Sequence, residues 1–124
     1  MISLTVVGLG FLTMGAVALM RPPQVLGYFG LTELTADLRN EVRAVYGGFG
    51  LAMGGLLLAA AFAKPLWPPQ FGITGVIFTV AAALLGMAAG RIFSWCVEST
   101  GKWPVVFAVI EIAGGVALLA AIPA

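Results

Sequence analysis

Long apolar stretches alternate with short polar segments along this chain of 124 residues. Four of these stretches carry almost no charge, and each has the length of about 20 residues that an α-helix needs to cross a bilayer core of about 30 Å. They cover roughly residues 2–20, 44–63, 71–90 and 104–122. The pattern predicts an all-α integral membrane protein, with residues 1–124 forming one bundle of four transmembrane helices.

The longest segment outside these predicted spans covers residues 24–40. It contains the apolar and aromatic run Leu26–Leu31, which is typical of a segment at the membrane interface. The sequence leaves open whether this segment lies on the membrane or re-enters it. Because threonine is a common helix N-cap, we also expect a helix to begin near Thr32 and to run through Arg43 into the second span.

The amino-acid composition argues against several classes of function. The chain is 61% hydrophobic and 9% charged, whereas soluble domains carry about 25% charged residues, so a soluble domain has no room here. A net charge of +1 predicts no nucleic-acid partner, since nucleic-acid binding needs many basic contacts. The chain has no histidine and only one cysteine, Cys96. We therefore predict no metal site, no catalytic residue set and no cofactor.

Charged residues at or inside the predicted spans are the most informative exception to this apolar pattern. They are Arg39, Glu41, Arg43, Arg91 and Glu111. An ionisable group in hydrocarbon costs at least about 2.5 kcal/mol, so it is normally paired with another group and often marks a functional site. Glu111 follows the start of the fourth span by about 10 Å along a helix, which places it inside the bilayer.

The predicted site is a buried cluster at one level of the bundle. We expect the Glu111 carboxylate to be held by Arg43, by Arg91 or by both, with Tyr46 as a further hydrogen-bond donor. Four polar residues are expected around this cluster: Arg39, Glu41, Ser94 and Glu98. Three interpretations stay open: a structural cluster that fixes helix register, a pocket for a lipid headgroup, quinone or other amphiphile, and a proton or ion pathway.

Small residues recur at helical spacing in the last three spans. Glycines at such positions let helix backbones approach closely, so we predict a packing role for these residues rather than a ligand role. The predicted packing glycines are Gly47, Gly48, Gly50, Gly54, Gly86, Gly90, Gly114 and Gly115.

The basic residues predict the orientation in the membrane. The connections on one side hold Arg21, Arg39, Arg43, Arg91 and Lys102, whereas the other side holds only one basic side chain and the N-terminal amine. Because basic residues are enriched on the cytoplasmic side, we expect a protein of the bacterial inner membrane with both termini in the periplasm.

Three short segments of the chain together form a pattern that resembles a known family. It begins with Asn40-Glu41-Val42-Arg43-Ala44-Val45-Tyr46-Gly47-Gly48 and continues with Gly90-Arg91-Ile92-Phe93-Ser94 and Ile110-Glu111-Ile112. This pattern resembles the small bacterial four-helix membrane proteins grouped as domain of unknown function 4345, and the resemblance covers nearly the whole chain. More distantly, the layout is similar to the DoxX-like membrane proteins. The resemblance implies the four-helix fold and gives weight to the charged positions, but it implies no reaction, substrate or cofactor.

These observations favour a non-enzymatic accessory or structural subunit that packs against a larger inner-membrane complex. The alternative is a protein that binds a lipid, a quinone or another amphiphile, or a minor transporter, using the Arg/Glu cluster. An enzyme acting on lipid or quinone is a third hypothesis, which the absence of a visible base, nucleophile or metal set disfavours. Expected partners are membrane lipids and either other membrane subunits or further copies of this chain.

Overall fold

The computed structural model describes residues 1–62 and 73–122, and within those residues the protein consists of helices and short loops without a β-strand. The helices are α1 (Ile2–Met20), α2 (Pro22–Gly27), α3 (Ala36–Val42), a π-helical segment (Arg43–Gly48), α4 (Phe49–Phe62), α5 (Ile73–Val97) and α6 (Lys102–Ala120). The predicted ends of the second and third spans at residues 63 and 71–72 lie outside the described residues.

Four helices are long and apolar enough to cross a membrane. They are Ile2–Met20, Ala36–Phe62, Ile77–Val97 and Lys102–Ala120. The second combines α3, the π-helical segment and α4 into one rod of 27 residues, which is about 40 Å long at an α-helical rise. The prediction of an all-α membrane protein with four transmembrane helices is confirmed.

Two helices extend beyond the spans that hydropathy predicts. The helix expected to begin near Thr32 and to run into the second span begins at Ala36. The Oγ1 of Thr35 accepts a hydrogen bond from the backbone amide of Leu38 at 3.2 Å and so caps the first turn. Helix α5 continues past Gly90 to Val97. The extensions carry several polar residues of the predicted site on helices rather than on loops: Arg39, Glu41, Arg91 and Ser94. Glu98 follows the last residue of α5.

The segment predicted at the interface, residues 24–40, has a mixed structure. It contains most of the short helix α2, an exposed turn and the start of α3. The turn presents Tyr28 and Phe29 to the outside, and Gly30 adopts a φ of 82°, which glycine reaches without steric cost. A small core of Ala18, Leu34 and Val42 holds this segment against the end of α1.

Helix α1 packs against α4 through glycines on both helices. An added Cβ on Gly50 would lie 2.9 Å from the Phe11 carbonyl oxygen, and one on Gly54 would lie 2.8 Å from the Gly8 carbonyl oxygen. Both distances are shorter than a carbon–oxygen contact allows. Each crossing therefore depends on a missing side chain, as is common between transmembrane helices.

The π-helical segment and α5 approach each other even more closely. A Cβ on Gly48 would overlap the backbone carbonyl of Gly86, and a Cβ on Gly90 would overlap the carbonyl oxygen of Arg43. The neighbouring Gly47 faces the other way, with the Leu19 side chain 2.8 Å from its ideal Cβ position. Consecutive glycines therefore let the wide π turn contact both α1 and α5.

Helix α6 packs on α5 along a narrow stripe. Its buried residues are Pro104, Ala108, Glu111 and Gly115, which recur at the spacing of one helical face. The ideal Cβ positions of Gly114 and Gly115 lie 3.2 Å and 2.7 Å from leucine side chains of α5. The rest of α6 faces outward. All eight predicted packing glycines thus lie at contacts between helices.

Candidate functional site

Six charged side chains come together where α3 and the π-helical segment meet α5 and α6. Three are arginines and three are glutamates: Arg39, Arg43, Arg91, Glu41, Glu98 and Glu111. Their formal charges cancel, and each of the four salt bridges among them joins residues that are at least 20 positions apart in the chain. The arrangement divides into two groups, one around Arg91 and one around Glu98.

Arg91 is the centre of the first group. It is 2% exposed, and all three guanidinium nitrogens donate hydrogen bonds. Its Nε and Nη2 lie 2.9 Å and 2.8 Å from the two carboxylate oxygens of Glu111, while its Nη1 reaches the side chains of Asn40 at 3.0 Å and Glu41 at 2.8 Å. The Phe107 ring lies 5.4 Å from the guanidinium carbon. Charge-assisted, bidentate contacts of this kind are the strongest hydrogen bonds that side chains form.

Glu98 is the centre of the second group. Its two carboxylate oxygens accept hydrogen bonds from Arg39 Nε at 2.7 Å and Arg39 Nη2 at 2.6 Å. Arg43 adds a bond from Nη1 at 3.1 Å, and the same nitrogen donates to the Ser94 hydroxyl at 3.1 Å. Arg39 also donates to the Leu34 carbonyl oxygen. This group therefore joins the start of the second span to the end of α5.

The electrostatics of Glu98 follow from these contacts. Glu98 lies just beyond the last residue of the third span, and its side chain is partly exposed. The hydrogen bonds from Arg39 lower the pKa of Glu98 below its ordinary value, against burial, which raises it, and the Arg43 hydrogen bond lowers it further. The carboxylate therefore keeps its charge to a lower pH than an ordinary glutamate does.

A third contact ties the loop before α6 to α3. The backbone amide of Gly101 donates a hydrogen bond to Asp37 Oδ1 at 2.7 Å. Nearby, the indole nitrogen of Trp95 donates to the Thr100 hydroxyl at 2.8 Å. Together with the two charged groups, these bonds connect three of the four transmembrane helices at one end of the bundle.

The structure decides between the alternatives for Glu111 and differs from the expectation for Tyr46. Among the described residues Glu111 is held by Arg91, whereas Arg43 turns toward Glu98 and the Leu19 carbonyl oxygen. Tyr46 forms no hydrogen bond with any described residue and packs against the small core of Ala18, Leu34 and Val42. Its position one turn beyond Arg43 places it on the face toward α1 and α2, away from Glu111.

Asn40 is the site residue that sequence reasoning did not single out. It is fully buried, its side-chain amide donates to the Arg91 carbonyl oxygen at 3.2 Å, and its Oδ1 accepts from Arg91 Nη1. The sequence contained a signal for its role. Asn40 immediately precedes Glu41 and lies one turn before Ala44, on a helix whose polar residues face the protein. A buried asparagine needs partners for both ends of its amide, and Arg91 supplies both.

The chemistry that this arrangement supports is binding and positioning. Among the described residues no group of three or more His, Cys, Asp or Glu side chains could hold a metal ion. Cys96, which is exposed, has no base beside it in the described part of the chain. The carboxylates accept hydrogen bonds from arginines, which do not give up protons at physiological pH.

Comparison with known proteins places the chain in a family. Residues 1–122 match the family described as "Domain of unknown function (DUF4345)". The chain therefore belongs to this family, as the sequence pattern predicted. No curated protein and no solved structure matches it, and the more distant similarity to DoxX-like proteins is not confirmed.

Proposed function

We propose that this member of the family acts as a non-enzymatic accessory subunit that packs against a larger complex of the bacterial inner membrane. The outer face of α6 carries the proposal. Ala113, Ala117 and Ala121 are all exposed and lie on one face of the helix. The exposed Val109 lies one turn before Ala113 on the same face, and the exposed Val116 lies beside the strip.

A strip of small residues between larger ones is what a second transmembrane helix needs in order to pack closely. Lipid chains require no such strip, because they adapt to side chains of any size. The charged cluster supports the same reading, since each of its six charged side chains forms a salt bridge with another member. On this proposal the charged cluster fixes the bundle, and α6 presents the docking face.

Photocrosslinking inside the native membrane tests the proposal. A photoreactive phenylalanine analogue at Val109 or Val116 is expected to capture one discrete membrane protein. The same analogue at Val6, an exposed position on α1, serves as the matched control and is expected to capture lipid. The substitution Ala117→Leu, which fills the small strip, should abolish the protein adduct. Lipid adducts alone at both α6 positions would refute the accessory role.

For the orientation, we propose that both termini lie in the periplasm. The support is the basic side chains of Arg21, Arg39 and Lys102, which lie at the ends of helices on the same side of the bundle as the charged cluster. Alkaline phosphatase fused after Ala124 should then be active, because it folds only in the periplasm, and a cytoplasmic reporter at the same position should be silent. The reverse pattern would overturn this orientation.

A further inference from the structure

Arg43 differs from the other two arginines of the cluster in one respect. Arg39 and Arg91 use all three guanidinium nitrogens as hydrogen-bond donors. Arg43 uses Nε and Nη1, and its Nη2 has no hydrogen-bond partner among residues 1–62 and 73–122. The Arg43 side chain is only 7% exposed. Buried hydrogen-bond donors nearly always have an acceptor in native proteins, so we expect Arg43 Nη2 to bind one.

The local charge indicates what kind of acceptor fits. Arg39 and Arg43 share the single carboxylate of Glu98, which leaves this group with an excess of one positive charge. The group around Arg91 has the opposite balance, because two carboxylates face one guanidinium. An anion is therefore attracted to the Arg43 side of the cluster and repelled from the Arg91 side.

An apolar groove lies next to Arg43. It is open along one side, has a volume of about 360 Å³ and runs between α1, α4 and α5. It is lined by Leu19, Gly48, Leu51, Ala52, Gly86, Ala89, Gly90 and Phe93. Arg43 does not itself line the groove, but it contacts two residues that do. Its Nε donates to the Leu19 carbonyl oxygen at 3.1 Å, and its own carbonyl oxygen lies against Gly90.

We propose that this groove binds an anionic membrane phospholipid. The headgroup phosphate accepts hydrogen bonds from Arg43 Nη2, and one acyl chain lies along the apolar groove. A guanidinium is well suited to phosphate, which it binds through charge-assisted hydrogen bonds. An apolar transmembrane helix of another protein would fill the groove, but it would supply no acceptor for Arg43 Nη2 and no negative charge to balance the excess positive charge. The inference goes beyond the accessory role and does not depend on it.

Lipid binding to the delipidated full-length protein tests the headgroup contact. Native mass spectrometry in detergent would follow the titration of phosphatidylglycerol and of diacylglycerol with the same acyl chains. The wild type should bind phosphatidylglycerol at least about tenfold more tightly, since a hydrogen bond to a charged group is worth about 1.5–3 kcal/mol. Arg43→Gln should lose this preference. Arg21→Gln, which removes an exposed arginine outside the cluster, should retain it.

A second variant tests the groove with every charge in place. Ala89 is an exposed residue of the groove, so Ala89→Phe fills the groove from outside the core. It should weaken the binding of both lipids, whereas Ala16→Phe on the exposed face of α1 should not. This comparison decides the proposal even if Arg43→Gln does not fold.

Three results would overturn the proposal. The first is equal binding of the two lipids by the wild type. The second is phosphatidylglycerol binding that survives Ala89→Phe unchanged. The third is that the wild-type protein carries no lipid and that Ala89→Phe removes a bound protein partner or a second copy of the chain. The groove would then be a helix-docking site. The α6 crosslinks are independent of all three results.

Discussion

Replacing Arg91 with leucine should destabilise the bundle more than any other single change in the charged cluster. Arg91→Leu removes every hydrogen bond to the buried Glu111 carboxylate and one to the Asn40 side chain, together with the contact with the Phe107 ring. Breaking a buried ion pair by removing one partner costs about 3–5 kcal/mol, because the other charge stays buried and unpaired. We expect the free energy of unfolding to fall by that amount.

Two companion variants show whether the cost comes from the unpaired charge. Glu111→Gln keeps an acceptor in place and leaves Arg91 bonded to Glu41, so it should cost only about 1–3 kcal/mol. The double variant Arg91→Leu/Glu111→Leu removes both buried charges. It should be more stable than Arg91→Leu alone by at least about 1 kcal/mol, because apolar replacement of a whole buried pair is often close to neutral.

Reversible unfolding in mixed micelles provides the assay. Sodium dodecyl sulfate would be titrated against a mild detergent, and the fluorescence of the three tryptophans would report the folded fraction. Arg21→Leu, an exposed arginine outside the cluster, is the control and should change stability by less than about 0.5 kcal/mol. If Arg91→Leu and Glu111→Gln are both as mild as the control, or if the double variant costs the sum of its parts, the pair is not buried as the structure describes.

Two further predictions use the same assay. Gly48→Ala should destabilise the bundle by about 2 kcal/mol or more, because its Cβ would overlap the Gly86 carbonyl and force the helices apart. Gly55 has nothing near its ideal Cβ position, so Gly55→Ala should leave the stability unchanged or raise it by up to about 1 kcal/mol. Equal destabilisation by the two substitutions would contradict the close crossing at Gly48. The pKa of Glu98 is lower in the folded protein than in the unfolded chain, so its charged form stabilises the fold. This contribution is fully present above the ordinary glutamate pKa of about 4.3. It is lost as the pH falls through the lower pKa of the folded protein. Glu98→Gln should therefore flatten the acid side of the stability curve, and an unchanged acid side would show that Glu98 is not the group responsible.

The transmembrane architecture was readable from the sequence because a lipid-facing helix needs a long apolar run and little else. Helix ends were harder to predict. Hydropathy ends the third span near Gly90, where Arg91 interrupts the apolar run, yet α5 continues to Val97 because Arg91 and Ser94 find partners within the bundle. Hydropathy likewise misses the start of the second span's helix at Ala36, but the threonine N-cap signal predicted a helix beginning near Thr32, four residues too early.

The charged members of the site were predicted, whereas the choice between Arg43 and Arg91 as the partner of Glu111 was left open. Burial cost alone indicates that Glu111 needs a cation, and two arginines were available at the same depth. Which of them reaches Glu111 depends on how the second span is rotated about its axis. The π-helical segment beginning at Arg43 sets that rotation, and the sequence signals it only through the Gly47-Gly48 pair. The role of Asn40 depends on the same rotation.

Native mass spectrometry on the tagged protein, extracted from its own membrane in a mild detergent, tests the central claim most directly. We claim that the charged cluster holds the bundle together and that the outer face of α6 carries the function. One assembly of fixed stoichiometry with a larger membrane protein is predicted, and it should survive Glu111→Gln in the folded protein but be lost with Ala117→Leu. A protein that emerges only as a monomer, or an assembly that Ala117→Leu leaves intact, would contradict the account.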